Sequence, residues 1–330
     1  MVTFAAGLLD ATVQAATVLI LAGLGELITE RAGVLNLGVE GMMLTGALGG
    51  FIATVLTGSH WLGFGAGIVC GVLLAAVHAF LCITLNADQV ISGVMITLLG
   101  GGLTTYFGSA WVEKSIDGFP EVTPPLIGGY LVEIPLIGEA FFRSTATDYL
   151  ALLLVPVGWY FLTRTNLGLE LVSIGEDPET ADTMGISVFR LRYLAVLIGG
   201  GFAGAAGAHL SLAFSGLWVP GMTAGRGWIA VALVIFAQWR PSRLLVGAYL
   251  FGLLDAFRLR SQSLSLSLEP GTPLAGVLNP VVDFLTNPQI MGTYPYLATI
   301  IVLTYTVART QSDRLAVPDA LLEPYTREID

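Results

Sequence analysis

The segment Ser173–Arg192, SIGEDPETADTMGISVFRLR, is polar, whereas the sequence on either side of it is strongly apolar. Asp177 suits a helix N-cap, Pro178 the first helical position, and Glu179 the positive end of the helix dipole. Gly185 is expected to end this helix after about two turns. The pattern predicts a short amphipathic helix between two apolar segments, and such a clearly bounded helix favours a docking surface over a plain polar loop.

The composition places the chain in a lipid bilayer. Of its 330 residues 55% are hydrophobic and only 12% are charged, and the mean hydropathy is +0.79. Soluble domains carry about 25% charged residues, so the chain is predicted to be an integral membrane protein. The net charge of −10 argues against nucleic acid as a partner.

Apolar runs divide the chain into nine predicted membrane segments, which makes it an all-α, polytopic helical membrane protein. The seventh and eighth runs are short for a hydrocarbon core of about 30 Å, so we expect polar turns to extend them or neighbouring helices to shield them. The nine segments are Val13–Ile28, Leu37–Leu56, Trp61–Leu85, Val90–Phe107, Tyr149–Leu162, Tyr193–Phe214, Trp228–Gln238, Leu244–Phe257 and Pro295–Val307.

The remaining sequence falls between or after these segments. Residues 1–310 are predicted to form a single membrane domain that includes the loop 173–192. Residues 110–147, rich in Pro and Gly, are predicted to form a hairpin-like external cap. The second external loop, 258–293, contains a stretch that we interpret as a helix on the outer membrane surface. Residues 311–330 are predicted to be an acidic cytoplasmic tail.

The arginine and lysine residues give the orientation. If loop 173–192 is cytoplasmic, alternation places the N-terminus outside and the C-terminus inside. Cytoplasmic connections then hold nine basic residues and external ones hold five. This bias has the sign that the positive-inside rule requires.

One intramembrane motif, Leu35–Gly41 (LNLGVEG), combines polar groups with helix-loosening glycines. An ionisable side chain at membrane depth is costly, so Glu40 should face protein or a water-filled path. We therefore predict that Asn36 and Glu40 face a translocation path. The alternative is that Glu40 satisfies free backbone N–H groups at a helix start.

A second candidate cluster surrounds the bend Leu217–Gly227. Phe214 and Trp218 are predicted to contact a planar solute in the path, and Arg226 accompanies them. The alternative for these aromatic residues is membrane anchoring. The small residues of Gly199–Ala208 predict close helix packing.

The sequence contains no constellation typical of an enzyme. No Gly-Lys-Ser/Thr loop is present that would cradle phosphate, so any ATP hydrolysis is assigned to another chain and no cofactor is expected. His78 and His209 lie in apolar segments without a helically spaced partner, so we predict that they are hydrogen-bonded within the bundle and are not metal ligands.

The polar segment resembles the cytoplasmic coupling loop of permease subunits of ATP-binding-cassette (ABC) importers. The resemblance lies in Gly175, the triplet Asp177-Pro178-Glu179, Ala181, and Met184-Gly185-Ile186. The segment Glu30–Ala47, ERAGVLNLGVEGMMLTGA, is most similar to nucleoside and simple-sugar members. The resemblance runs in order from about Ala11 to Val307.

Membership of this family implies that the chain is a permease and not an enzyme. The resemblance implies binding to ABC ATPase subunits, a second and related permease subunit, and an extracytoplasmic substrate-binding lipoprotein, all at the cell membrane. It favours a nucleoside as the solute, with simple sugars next and branched-chain amino acids third. The implied ATPase-coupling residues are Gly175, Glu176, Asp177, Pro178, Glu179, Thr180, Ala181, Met184 and Gly185.

Two rival functions belong to other classes. The first is an ion-gradient-driven secondary carrier, in which Glu26 and Glu40 would relay a proton. Such a carrier has no need of a coupling helix, and the sequence shows no convincing internal repeat. A passive channel is disfavoured because the sequence has no recognisable selectivity filter.

Overall fold

The computed structural model describes residues 2–123, 128–134, 137–261, 287–294 and 317–326, and also residues 279, 280, 282, 284, 297, 298, 300, 301 and 304. These residues are mostly helical. The first four helices are α1 (Val2–Arg31), α2 (Val39–Thr57), α3 (His60–Ala79) and α4 (Gln89–Gly108). A π-helical turn, Phe80–Thr84, extends α3, and a 3-10 turn, Ser109–Trp111, extends α4.

The chain after Trp111 is also mostly helical in its described residues. It contains α5 (Gly128–Leu131), α6 (Gly138–Phe142), α7 (Ala146–Arg164), α8 (Asn166–Glu176), α9 (Pro178–Thr183), α10 (Val188–His209), α11 (Arg226–Ala237), α12 (Pro241–Ser261) and α13 (Pro288–Met291). A second π-helical turn, Leu210–Phe214, extends α10.

Six of the described helices are long and apolar enough to cross a membrane. They are Phe4–Arg31, Val39–Thr57, His60–Thr84, Gln89–Trp111, Ala146–Arg164 and Val188–Phe214. These six agree with the first six predicted segments, although the first is longer than the predicted Val13–Ile28. The count of nine is not confirmed.

The last three predicted segments have different outcomes. Helix α11 is short, with 12 residues, as the seventh apolar run predicted. The eighth apolar run is extended by polar residues, which is one of the two expected alternatives: α12 has 21 residues and spans roughly 31 Å. The helix continues through polar residues at both ends of the apolar run Leu244–Phe257. Most of the ninth segment lies outside the described residues.

Helix α10 lies at the centre of the bundle, packed against α1, α2 and α3. Its small residues allow this approach: a Cβ atom added at Gly204 would lie 2.3 Å from the carbonyl oxygen of Gly67 on α3. One added at Gly46 on α2 would lie 2.4 Å from the carbonyl oxygen of Gly204. The close helix packing predicted from the Gly199–Ala208 stretch is therefore present.

The loop 110–147 contains a two-stranded antiparallel ladder. Strand β1 (Glu121–Val122) pairs with β2 (Ser144–Thr145), with Glu121 opposite Thr145. The loop is also tied to the end of α10, because Phe119 N–H donates to the Leu212 carbonyl oxygen at 3.1 Å. The surface helix predicted in loop 258–293 covers Leu274–Ile290, and its first residues lie outside the described residues.

Candidate functional site

The predicted coupling helix is α9, and its N-terminus is capped as the sequence indicates. Asp177 is the N-cap, and its carboxylate accepts a hydrogen bond of 2.9 Å from Thr180 N–H and one of 2.5 Å from the Thr180 hydroxyl. Pro178 occupies the first turn, where its missing N–H needs no partner. The Thr180 hydrogen bonds stabilise the charged carboxylate and lower the pKa of Asp177 below its ordinary value.

Gly185 ends α9 by a Schellman motif. Its φ is +87°, a left-handed conformation that favours glycine. Gly185 N–H donates to the Asp182 carbonyl oxygen at 2.9 Å, and Ile186 N–H donates to the Ala181 carbonyl oxygen at 3.0 Å. These two bonds satisfy carbonyl groups that the helix end would otherwise leave free. The helix has six residues, slightly fewer than the two turns predicted.

The first residues of the quoted segment belong to another helix, α8, which the sequence analysis missed. Thr165 caps α8, accepting from Gly168 N–H at 3.1 Å. Leu171 and Ile174 are buried at helical spacing. This N-cap and apolar spacing were the available signal. Helix α9 is therefore the second part of a helical pair between α7 and α10.

The last turn of α8, which leads directly into α9, is packed against the end of α1. A Cβ atom added at Gly175 would lie only 2.1 Å from the Arg31 carbonyl oxygen, so only glycine allows this approach. The next residue, Glu176, forms an ion pair of 3.3 Å with Arg31. The start of α9 is consequently held next to the end of α1, one of the helices long and apolar enough to cross a membrane.

The other predicted coupling residues face outward, with one exception. Ala181 is buried, whereas Glu179 is exposed and Met184 is 78% exposed. An exposed methionine beside acidic side chains is an adaptable apolar contact with a charged surround. The assignment of these residues to ATPase coupling remains a prediction.

A second candidate site lies where α11 begins. Glu40, near the start of α2, is only 8% exposed. Its carboxylate accepts hydrogen bonds from the Thr223 hydroxyl at 2.6 Å, from Gly225 N–H at 2.8 Å and from Gly227 N–H at 2.7 Å. Gly225, the N-cap of α11, has no side chain to cap the helix. Glu40 therefore caps a helix 185 residues away in the sequence.

This geometry matches the alternative interpretation of Glu40, in which it satisfies free N–H groups at a helix start. No local pattern identifies the helix that Glu40 caps, because the partner groups are mostly backbone atoms far along the chain. Whether Glu40 also contacts a solute stays a prediction. The carboxylate provides the negative charge that a helix N-terminus favours.

Asn36 is fully buried in the loop between α1 and α2. Its side-chain oxygen accepts from Gly38 N–H at 3.0 Å, and its own N–H donates to Glu26 at 2.9 Å. Neighbouring backbone groups of this loop are paired with side chains from α3 and α4. Irregular backbone inside a membrane bundle requires such partners. The contacts are His78 with Leu35 O, the Gln89 side chain with Leu35 N–H, and the Thr97 hydroxyl with Leu37 O.

The predicted aromatic pair is divided between two environments. Trp218 is fully buried in an apolar cluster with Leu48 and Phe51. Phe214 is half-buried, and the Arg226 guanidinium lies 5.7 Å from its ring centroid. Arg226 also forms an ion pair of 2.5 Å with Asp255 on α12. The structure thus joins Phe214 to Arg226, and the role of either aromatic residue in a path remains a prediction.

Both intramembrane histidines are hydrogen-bonded within the bundle, as predicted. His78 Nδ1 lies 2.9 Å from the Ser92 hydroxyl. His209 Nδ1 lies 2.8 Å from the Thr147 hydroxyl, and its Nε2 lies 3.7 Å from the Asp148 carboxylate. No group of three metal-ligating side chains occurs in the part of the chain that the structure describes.

Comparison with known proteins decides the family. The model of the branched-chain amino acid transport system permease component matches residues 8–270. The chain belongs to this permease family.

Three relatives extend the match over most of the permease. This chain is 76% identical to TsgC13 of Haloferax volcanii, which is provisionally named as a glucose ABC transporter permease. The match covers 99% of this chain and all of TsgC13. The chain is 33% identical to the guanosine ABC transporter permease NupQ of Bacillus subtilis, covering 93% of this chain and 94% of NupQ. It is 31% identical to the nucleoside ABC transporter permease NupC of Lactococcus lactis, covering 87% and 88%. No solved structure matches the permease.

These comparisons assign the permease to the membrane-embedded subunits of sugar and nucleoside ABC importers. It is a multi-pass membrane protein and not an enzyme, as the sequence analysis predicted. ABC importers of this family work with ATPase and binding-protein partners.

Proposed function

We propose that this permease carries a simple sugar of the glucose type across the cell membrane. The observation that supports this choice is the 76% identity, over nearly the whole chain, to a relative named for glucose. The sequence analysis placed nucleosides first, and the relatives named for nucleosides are 33% and 31% identical. A nucleoside is therefore the second candidate.

The proposed mechanism couples ATP hydrolysis on a separate chain to motion of the membrane helices through α9. Its support is the geometry of the segment: α9 is capped at both ends, exposes Met184, and is joined by Gly175 and Glu176 to the end of α1. In this mechanism α9 passes the motion of the ATPase to α1 through Gly175 and Glu176, and to α10 through the chain that follows Gly185. ATP then biases the two states of the importer by binding the closed ATPase pair more tightly.

The assembly we propose contains this chain, a second and related permease subunit, ATPase subunits and an extracytoplasmic binding lipoprotein. The permease itself holds no cofactor, since ATP binds to the partner. The proposed orientation has the N-terminus outside and the C-terminus in the cytoplasm. The excess of nine basic residues over five on the cytoplasmic side supports it.

Asn36, Glu40, Phe214 and Trp218 remain the proposed residues of the translocation path. Their support is that Glu40 and Arg226 lie at the starts of two helices that meet inside the bundle. Ends of interrupted helices are the usual site of solute contact in membrane transporters.

The experiment that tests the proposal is uptake of labelled glucose, ribose, uridine and adenosine into vesicles containing the complete transporter, with and without ATP. ATP-dependent glucose uptake that is unaffected by collapse of ion gradients is the expected result. ATP-dependent uptake of a nucleoside alone would favour the second candidate. Uptake that ignores ATP and fails when the gradient collapses would overturn the importer mechanism in favour of a secondary carrier.

A further inference from the structure

The C-terminal segment 317–326 does not extend freely from the membrane domain. It packs against the last turn of α8, which leads into α9, and against the first residues of α10. Ala320 and Tyr325 are 2% and 8% exposed, and Val317 and Leu321 pack against the main apolar core. A segment predicted as an acidic tail thus has a defined place in the fold.

Three contacts fix this place. Ala320 N–H donates to the Gly175 carbonyl oxygen at 2.9 Å, two residues before the N-cap of α9. The buried Arg192 guanidinium donates to the Glu323 carbonyl oxygen at 3.0 Å. The ring of Tyr325 lies 5.5 Å from that of Phe189 in the first turn of α10. The segment therefore contacts the elements that precede and follow α9.

The backbone of this segment is strained at one exposed residue. Leu322 has φ +72°, in the left-handed region that a bulky side chain rarely adopts. Its side chain is 47% exposed, although the residues on either side are anchored at Ala320 and through the Glu323 carbonyl. Strained residues held by their surroundings occur preferentially at functional positions.

The charge around Leu322 indicates the chemistry of what covers it. Exposed acidic side chains lie at 177 and 179, at the N-terminus of α9, and at 319 and 323 of the segment. A partner that covers this face needs basic residues around an apolar depression. Met184, the C-cap of α9, is exposed and provides a second apolar group of this kind.

We propose that residues 317–326 form a second docking element for the ATPase subunit, beside α9, with Leu322 as its apolar contact. This inference rests on the proposed coupling function and deepens it. The ATPase would bind a composite surface, in which Met184 and Leu322 enter apolar depressions and acidic side chains pair with basic residues. The anchoring of Ala320 to Gly175 makes the two parts move together.

Cross-linking in the complete transporter tests this proposal. Single cysteines replace Met184 and Leu322 in separate variants, and Leu56, an exposed leucine at the far end of α2, is replaced as the control. A short thiol-to-amine cross-linker is then added to membranes that contain each variant. We expect Met184→Cys and Leu322→Cys to join the ATPase and Leu56→Cys not to join it. Cross-linking from Met184→Cys but not from Leu322→Cys would overturn this inference and leave the coupling function standing. Cross-linking from neither would overturn both.

A second measurement separates an apolar contact from mere proximity. Asparagine tolerates the left-handed conformation, so Leu322→Asn removes the apolar side chain without adding backbone strain. We expect roughly five- to tenfold weaker retention of the ATPase on the solubilised permease, the loss that a partly buried leucine produces. The matched Leu56→Asn variant should retain the ATPase fully. Unchanged retention by Leu322→Asn would contradict the proposed contact.

Discussion

The carboxylate of Glu40, at the start of α2, accepts a hydrogen bond of 2.7 Å from the backbone N–H of Gly227, at the start of α11. The two helices begin beside each other, and a Cβ atom at Gly227 would lie 2.6 Å from the Glu40 backbone. A glutamate of one helix thereby serves as the missing N-cap of another. This contact connects the region that follows α1 with the region that follows α10.

Glu40→Gln is expected to destabilise the permease and to reduce transport together. The amide keeps one acceptor oxygen and turns an NH₂ group toward N–H donors, so at least one charge-assisted hydrogen bond is lost, at about 1.5–3 kcal/mol. Both the thermal unfolding midpoint of the solubilised permease and the rate of solute uptake should fall. Lost uptake with unchanged unfolding would instead assign Glu40 to the path, and no change in either would remove both roles.

Gly185→Val is expected to abolish transport-coupled ATP turnover while membrane insertion stays normal. A β-branched residue is strained at φ +87°, so the Schellman motif that ends α9 should be lost. Gly185→Asn is the matched control, because asparagine tolerates this conformation, and it should retain most turnover. Turnover stimulated by loaded binding protein is the measurement. Normal coupling in Gly185→Val would refute the docking role of α9.

A charge reversal, Glu179→Lys, tests the docking face of α9 without altering its backbone. Glu179 is exposed, so the substitution should leave folding unchanged and weaken binding to a basic ATPase surface. We expect reduced coupled turnover that depends more weakly on salt than in the native permease. Equal turnover and equal salt dependence would show that this side chain lies outside the interface.

Gly204→Ala is expected to destabilise the bundle by about 1–3 kcal/mol, because the added methyl group meets the α3 backbone at 2.3 Å. Gly102→Ala on α4 is the matched control, since nothing lies within 4 Å of its added Cβ. Replacing glycine by alanine in an open helical position should be neutral or slightly stabilising. The comparison is made by thermal unfolding, and equal midpoints for the two variants would contradict the packing of α10 against α3.

Asp255→Asn should cost about 1.5–3 kcal/mol of stability, because it removes the charge from the group that accepts the hydrogen bond of the largely buried Arg226 at 2.5 Å. Asp255→Glu retains the charge and should lose less. Unfolding midpoints of the two variants provide the test. If Asp255→Asn has the same unfolding midpoint as the unmodified permease, Arg226 does not depend on this pair to hold the start of α11.

The sequence by itself determined the features that depend on neighbouring residues. Apolar runs located the six long membrane helices, because spanning the hydrocarbon core requires a minimum length. Asp177 and Gly185 fixed the ends of α9, because capping is completed within a few residues. Helix α8 was missed although its signals were local, whereas the extension of the eighth apolar run into α12 by polar residues was one of the two expected alternatives.

The tertiary structure alone decided the contacts between distant parts of the chain. The capping of α11 by Glu40, the pairing of Arg226 with Asp255 and the docking of Ala320 on Gly175 join residues far apart in sequence. The groups that accept or donate are often backbone atoms, which every residue possesses and no motif distinguishes. Local pattern therefore predicted which segments are helical, and only their packing determined which polar group satisfies which helix end.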